Sequence, residues 1–308
     1  MPLSKRNKVL VVGMDGLRFD RLQALGAPVL DGLMSAGAYG TSKLPYGEAG
    51  TPRTESPGEV VPKSPEPGGR VIASRTDSGP GWSSIATGVW PDKHGVVDNG
   101  FANPNFTKFP DFLTRAKNAR PELSTAAFFS WAALDEHGAF SRAIDHRLVL
   151  DGYGMCSWAA ADKQVALAAE RHLATADPDA VFVYLGDTDE VAHDLGPHCP
   201  EYFAALQAQD TYLGYLLDAV RARATYPDER WTVLVTTDHG HVDGGGHGGT
   251  SDEERTVFVI ANRLGQDLGG RSLGEPRLVD VGPTALGVLG IATDPAWELD
   301  GEDLFIMC

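Results

Sequence analysis

Cysteine is scarce in this sequence. Cys156, Cys199 and Cys308 are the three in 308 residues, an odd and widely spaced set. Such a set supplies no disulfide framework, so stability must come from a packed core. Apolar residues make up 42% of the chain, enough for that core and too much for global disorder. Basic residues are also short, 26 Lys and Arg against 42 Asp and Glu, for a formal charge of −16. That balance excludes a nucleic acid polymer as partner, since a polynucleotide groove needs a basic surface. A small anionic substrate stays open, because divalent cations held by carboxylates would reverse the field locally. No run of 18 or more apolar residues occurs, which excludes a transmembrane helix and a membrane partner of that kind. The basic start, Met1 to Lys8, leads into a short strand-like run rather than the apolar core and cleavage site of a secretory signal. The expected location is therefore cytoplasmic. Oligomeric state has no signature here.

What is present is alternation. Val9-Leu-Val-Val12 is a continuous, mostly β-branched run of the kind found in buried parallel strands. It stops at Gly13-Met14-Asp15-Gly16, which sets Asp15 at a strand's carboxyl end. Ligands of open α/β sheets usually bind at such ends. A helix is expected over 18–36. Residues 43–70, dominated by Pro, Gly, Glu and Ser, read as a long excursion without core. Structure is expected to resume at Val71-Ile-Ala. Further helices are expected near 81–88, 109–119, 159–176, 201–224 and 279–289. Further strands are expected at 125–129, 180–186, 231–237 and 256–260. Strands alternating with helices imply one α/β domain around a mostly parallel sheet with right-handed crossovers.

Three of these strands end on metal-ligand chemistry. The first offers Asp15. After the second comes Asp189-Glu-Val-Ala-His193, whose acid and imidazole, four apart, share one side of a helix and can grip one ion. The third runs into Asp238-His239-Gly240 and then His247 among glycines, where backbone and substrate can come close. Taken singly, each piece has an ordinary reading: a helix cap, a solvated helical pair, a polar turn, a glycine-rich surface loop. Their joint occurrence at three strand ends favours a metal centre of three carboxylates and three imidazoles. Oxygen and nitrogen donors suit zinc, with manganese as the alternative, better than calcium.

With these residues in view, the chain resembles the alkaline phosphatase superfamily, and within it the nucleotide pyrophosphatase/phosphodiesterase-like branch. The resemblance is carried by Val11-Val-Gly-Met-Asp-Gly16, by Ser84-Ile-Ala-Thr-Gly88 through Asp98-Asn99, by Asp189 to His193, by Thr237-Asp-His-Gly240 and by His247-Gly248. It implies an alkaline-phosphatase-like three-layer sandwich spanning 1–308 as a single domain. It also implies two divalent ions, zinc first. Asp15, Asp238, His239 and the nucleophile's oxygen would hold one ion; Asp189, His193 and His247 would hold the other. By the branch's spacing the nucleophile is Ser78, and Asn99 binds the phosphate.

The sequence departs from the branch at Ser78-Gly-Pro-Gly-Trp82, where most members carry Thr followed by an aromatic residue, and an Asn close by. Thr76, Ser83 and Ser84 are rival hydroxyls. The gap between His239 and His247 is short, and Lys93 and His94, before Gly95, read as structural. The expected reaction is hydrolysis of a small phosphodiester or nucleotide pyrophosphate through a phosphoserine. The alternatives are a phosphomonoesterase, a phosphonate C–P hydrolase and, least favoured, a non-enzymatic binding protein.

Overall fold

The protein is described from a computed structural model, which covers residues 5–46 and 72–305. In chain order the elements begin with β1 (Arg6–Met14), α1 (Phe19–Leu25), α2 (Pro28–Ala36), β2 (Ala38–Lys43), α3 (Ser78–Thr87) and α4 (Pro91–His94). Then come α5 (Phe112–Ala119), β3 (Thr125–Phe129), α6 (Ala133–Glu136), β4 (His146–Val149), α7 (Trp158–Thr175), β5 (Ala180–Leu185) and α8 (Asp187–Leu195). The chain continues with α9 (Pro200–Arg221), β6 (Glu229–Thr236), α10 (Asp252–Arg255), β7 (Thr256–Arg263), β8 (Arg271–Ser272) and α11 (Val281–Val288).

The strands form one eight-stranded sheet in the order β4-β3-β5-β1-β6-β7-β2-β8. β1 lies between β5 and β6 and runs parallel to both, as β3 does to β4 and β5; β7 is antiparallel to β6 and β2. Side chains alternate across each strand, so β1 feeds two cores. Val9 and Val11 join Trp82, Phe112 and Leu286 on one face, while Leu10, Val12 and Met14 join Leu30, Leu173 and Leu213 on the other. Helices α3, α5 and α11 therefore cover one face and α2, α7 and α9 the other, which makes three layers. No helix among the described residues is long and apolar enough to cross a membrane.

The sheet is mostly parallel, as the alternation of elements implied, but several local expectations need correction. The helix expected over 18–36 is two helices. Gly26 takes a positive φ of 72° and Pro28 starts α2, so the chain turns between them. The turn is fixed by Asp210 of α9, whose carboxylate accepts from the amides of Val29 and Leu30. Strand β2 was not expected, and its last residue, Lys43, belongs to the sheet rather than to the excursion. Its sequence, with Gly40 and three polar residues, hides it. Gly40 is needed because a Cβ there would lie 2.6 Å from the Gly274 carbonyl oxygen. The edge strand β4 was also missed, being four residues long and half-exposed. Of Val71-Ile-Ala, where structure was expected to resume, Val71 lies outside the described residues, and 72–73 form neither helix nor strand. Residues 47–71, which hold most of the expected excursion, lie outside the described residues.

Gly13 marks the closest approach of helix to sheet near the site. A Cβ there would sit 2.3 Å from the Trp82 ring, which is fully buried. Gly13→Ala should destabilise the protein by about 1–3 kcal/mol, the usual range for overpacking. Urea denaturation measures it; an unchanged midpoint would mean that Trp82 yields without cost.

Candidate functional site

The carboxyl ends of β5, β1 and β6 are adjacent, so the segments that leave these strands converge. Asp15 comes directly after Met14 of β1, and its amide donates to the Leu185 carbonyl at 2.9 Å. Asp189 lies in the first turn of α8, which starts two residues after β5. The start of α8 is pinned by the buried carboxylate of Asp162 on α7. It accepts from the amides of Gly186 and Asp187, both at 2.9 Å, and from Ser130 and Gln209. Asp238 and His239 lie just beyond β6 and are fully buried.

Two cages result. In the first, His239 Nε2 faces Asp15 Oδ1 at 3.4 Å, Asp238 Oδ2 at 3.3 Å and Ser78 Oγ at 3.1 Å. Both of those carboxylate oxygens are buried with no hydrogen-bond partner among the described residues. The far oxygen of Asp15 is tied down instead, accepting from Trp82 Nε1 at 2.8 Å and from the Tyr184 hydroxyl. The far nitrogen of His239 lies 3.0 Å from the Gly240 carbonyl. Buried carboxylate oxygens without donors are costly unless a cation faces them. The donor set thus fits a divalent ion, with its outer atoms held by protein as ligands usually are.

In the second cage, Asp189 Oδ2 lies 3.3 Å from His193 Nε2, one turn along α8, and His193 Nε2 lies 2.9 Å from His247 Nε2. His247 Nδ1 bonds to the Thr76 carbonyl, which turns Nε2 inward. Asp189, His193 and His247 form one group able to hold an ion, and Asp15, Asp238 and His239 another; a third group joins Asp189, His239 and His241.

The electrostatics agree with the donor set. Burial, then repulsion from Asp189, pushes the Asp15 carboxyl up to about 8, against hydrogen bonds from Tyr184 and Trp82 that lower it. Burial and the same neighbouring acids hold Asp238 well above the usual carboxylate range. Burial also keeps His239 well below the ordinary imidazole value, so it presents a neutral ring with a free lone pair. A bound cation would offset the repulsion among these acids.

Ser78 opens α3, with Asp77 as the preceding cap position. Its hydroxyl therefore sits at the positive end of a ten-residue helix. Asn99 joins it from the loop after α4, and its Oδ1 accepts from the Gly79 amide at 2.7 Å. The glycines that replace bulkier residues here have a steric cause. A Cβ on Gly79 would lie 2.7 Å from the Asp98 carbonyl oxygen, and one on Gly81 2.7 Å from Asp238 Cβ. Two of the three rival hydroxyls are engaged elsewhere. Thr76 Oγ1 donates to the Gly249 carbonyl at 3.0 Å and accepts from the Gly248 amide, bracing the His247 loop. Ser84 bonds His94, and Ser83 is buried within α3. Lys93 pairs with Asp300 and donates to the Glu298 carbonyl, and His94 is fully buried, bonded to Ser84 and accepting from the Val96 amide.

Every sequence-derived candidate, Asp15, Ser78, Asn99, Asp189, His193, Asp238, His239 and His247, is thus brought to one sheet edge. Four partners were missed: Trp82, Tyr184, Asp162 and His241. Of these His241 alone left a trace, as a second histidine two residues after His239.

The family model for type I phosphodiesterase / nucleotide pyrophosphatase matches residues 74–249, more than half of the chain. The chain belongs to this family. Human ectonucleotide pyrophosphatase/phosphodiesterase family member 7 is 24% identical over 253 residues, covering 76% of this chain and 48% of that protein. Human family member 1 is likewise 24% identical over 255 residues, 76% of this chain and 24% of that protein. The chain therefore spans about half or less of the length of the curated relatives it matches. Among solved structures, murine ectonucleotide pyrophosphatase/phosphodiesterase 5 superposes with a TM-score of 0.65 at 15% identity, over 94% of this chain and 96% of that one. A putative sulfatase from Bacteroides thetaiotaomicron gives 0.67 at 13%, over 97% and 74%. These likenesses establish the alkaline-phosphatase-like α/β fold.

Proposed function

We propose that this chain hydrolyses small phosphodiesters or nucleotide pyrophosphates, with two divalent ions, zinc first, and Ser78 as the nucleophile. One observation carries the reading. Ser78 Oγ shares a cage with His239 Nε2 and with two buried carboxylate oxygens, Asp15 Oδ1 and Asp238 Oδ2, that have no other partner. Bound there, divalent ions would lower the pKa of the serine hydroxyl and neutralise charge on the phosphoryl oxygens.

The chain's own residues do the rest. Ser78 Oγ gives up its proton and forms the bond to phosphorus as the ester oxygen leaves with its electron pair and takes up a proton. Water then breaks the Oγ–phosphorus bond and returns the serine. The N-terminus of α3 favours negative charge at Oγ throughout. Asn99, anchored through Oδ1 on the Gly79 amide, would donate from its amide nitrogen to a phosphoryl oxygen. Family membership and the fold support the reading. So does the murine neighbour, an inactive variant of which is described in complex with AMP.

The test is a substrate panel on zinc-loaded protein: bis-p-nitrophenyl phosphate, the p-nitrophenyl ester of a nucleoside monophosphate, p-nitrophenyl phosphate and phosphonoacetate. The diester and nucleotide ester should exceed the monoester in kcat/KM by roughly tenfold or more, a transition-state difference of about 1.4 kcal/mol. A monoester preference or phosphate release from phosphonoacetate would replace this reading with the corresponding alternative. Two tightly bound ions with no turnover of any ester would favour a binding protein.

A further inference from the structure

His241 is fully buried among candidate ligands yet is not one of the six donors expected at the strand ends. Its Nε2 lies 2.8 Å from Asp189 Oδ1, and its ring packs edge-on against His193 and His247 with centroids 5.2 and 5.1 Å away. The turn that brings it there is fixed from outside, because Arg18 donates to the His241 carbonyl at 3.0 Å and pairs with Asp243. It is also fitted from inside. A Cβ on Gly16 would lie 2.6 Å from His241 Nε2 and 2.7 Å from Asp189 Oδ1, and Gly16 has a φ of +63° that side chains rarely adopt.

The other donors show what His241 does. Asp15 has one oxygen tied to Trp82 and Tyr184 and the other bare. Asp238 has one oxygen facing the Gly16 amide at 3.4 Å and the other bare. His239 and His247 have Nδ1 on backbone carbonyls and Nε2 turned inward. Each of these four donors is thus held by its far atom. Among the described residues Asp189 has no such holder except His241. An ionised carboxylate only accepts, so the shared hydrogen belongs to Nε2. The inward-facing atom of His241 is then already spent on Asp189, and its remaining nitrogen, Nδ1, is buried without a partner. That is the arrangement of a holder, not of a ligand.

We infer that His241 is a positioning residue: its Nε2–H fixes Asp189 Oδ1 and leaves Oδ2, the oxygen nearer His193, as the donor to the second ion. This rests on the proposed two-ion centre. Outer partners of metal ligands typically set affinity by 10–100-fold. The experiment compares full-length parent, His241→Ala, His241→Gln and His241→Asn by chelator competition for zinc. X-ray absorption of the fully loaded proteins counts imidazoles per zinc. A Gln amide nitrogen reaches the place of Nε2, whereas an Asn amide reaches only the place of Nδ1.

His241→Ala and His241→Asn should weaken one ion by roughly 10–100-fold and leave the other unchanged. His241→Gln should recover most of that loss, with the imidazole count the same throughout. Parent affinity in His241→Ala, or no difference between Gln and Asn, would overturn the inference. A falling imidazole count would overturn it too, by making His241 a ligand. Should His241→Ala not fold, the Gln and Asn pair decides alone. A parent that binds no zinc would overturn the two-ion reading beneath it.

Discussion

Replacing Ser78 with alanine should abolish turnover while the protein stays folded and retains its ions. Ser78 Oγ is one of four donors in its cage, and Asp15, Asp238 and His239 can hold an ion without it. The helix it opens does not depend on its side chain, since α3 is buried along its length. The proposed chemistry does depend on it, because without the hydroxyl the covalent phosphoseryl bond of that mechanism cannot form. The loss should fall on kcat, by roughly a thousandfold or more, and little on KM. Ser78→Thr should keep part of the activity, since the resembling branch uses threonine in this role. Ser83→Ala, within the helix, should behave as the parent. Thr76→Ala should fall between, because its hydroxyl braces the loop that carries His247. Rates on one activated ester, with metal content measured for each variant, decide it. An active Ser78→Ala beside a dead Thr76→Ala would move the nucleophile two residues back.

How much of this was legible in the sequence depends on where each signal lies. Asp15, Asp189 and Asp238-His239 could be read because each comes shortly after a strand-like run, and neighbouring parallel strands bring their ends together. His193 could be read from its spacing to Asp189 along one helix. Ser78 could not be read from periodicity at all. It stands in a Gly-Pro-Gly stretch that looks like a turn, and it entered through the resemblance. In the structure that stretch is the first turn of α3, its glycines dictated by the Asp98 carbonyl and Asp238.

The residues that hold the donors in place were illegible for a different reason. Trp82, Tyr184 and Asp162 sit inside regular elements, where their apolar neighbours make them look like core. Asp162 resembles an ordinary helical acid until α7 is docked against the start of α8. β2 was hidden by Gly40, whose purpose is the close passage of the segment around Gly274. Strand patterns report burial, and a strand chosen for backbone approach leaves no such pattern.

The second large effect concerns the other cage. Asp189→Ala should remove one ion and most of the activity, leaving the second ion in place. Asp189 belongs to the second group of donors, with His193 and His247, and is the only carboxylate there. Two imidazoles without it make a poor site for a dication. The fold should survive, because the start of α8 hangs on Asp162 and the Gly186 and Asp187 amides rather than on the Asp189 side chain. His247→Ala removes a donor from the same cage and not from the other, so it should lose the same ion. The two losses should not add in the double variant, since either alone empties the position. Elemental analysis should therefore give about one equivalent of metal for each single variant and for the double, against about two for the parent. Turnover should fall by roughly a thousandfold in all three, as the phosphoryl oxygens would lose one of the two proposed cations. Circular dichroism should match the parent. Two full equivalents in either single variant would contradict the division of donors. Loss of both ions together would show that the cages do not fill independently, and would place Asp189, which lies 3.9 Å from His239 Nε2 through Oδ1, as a bridge between them.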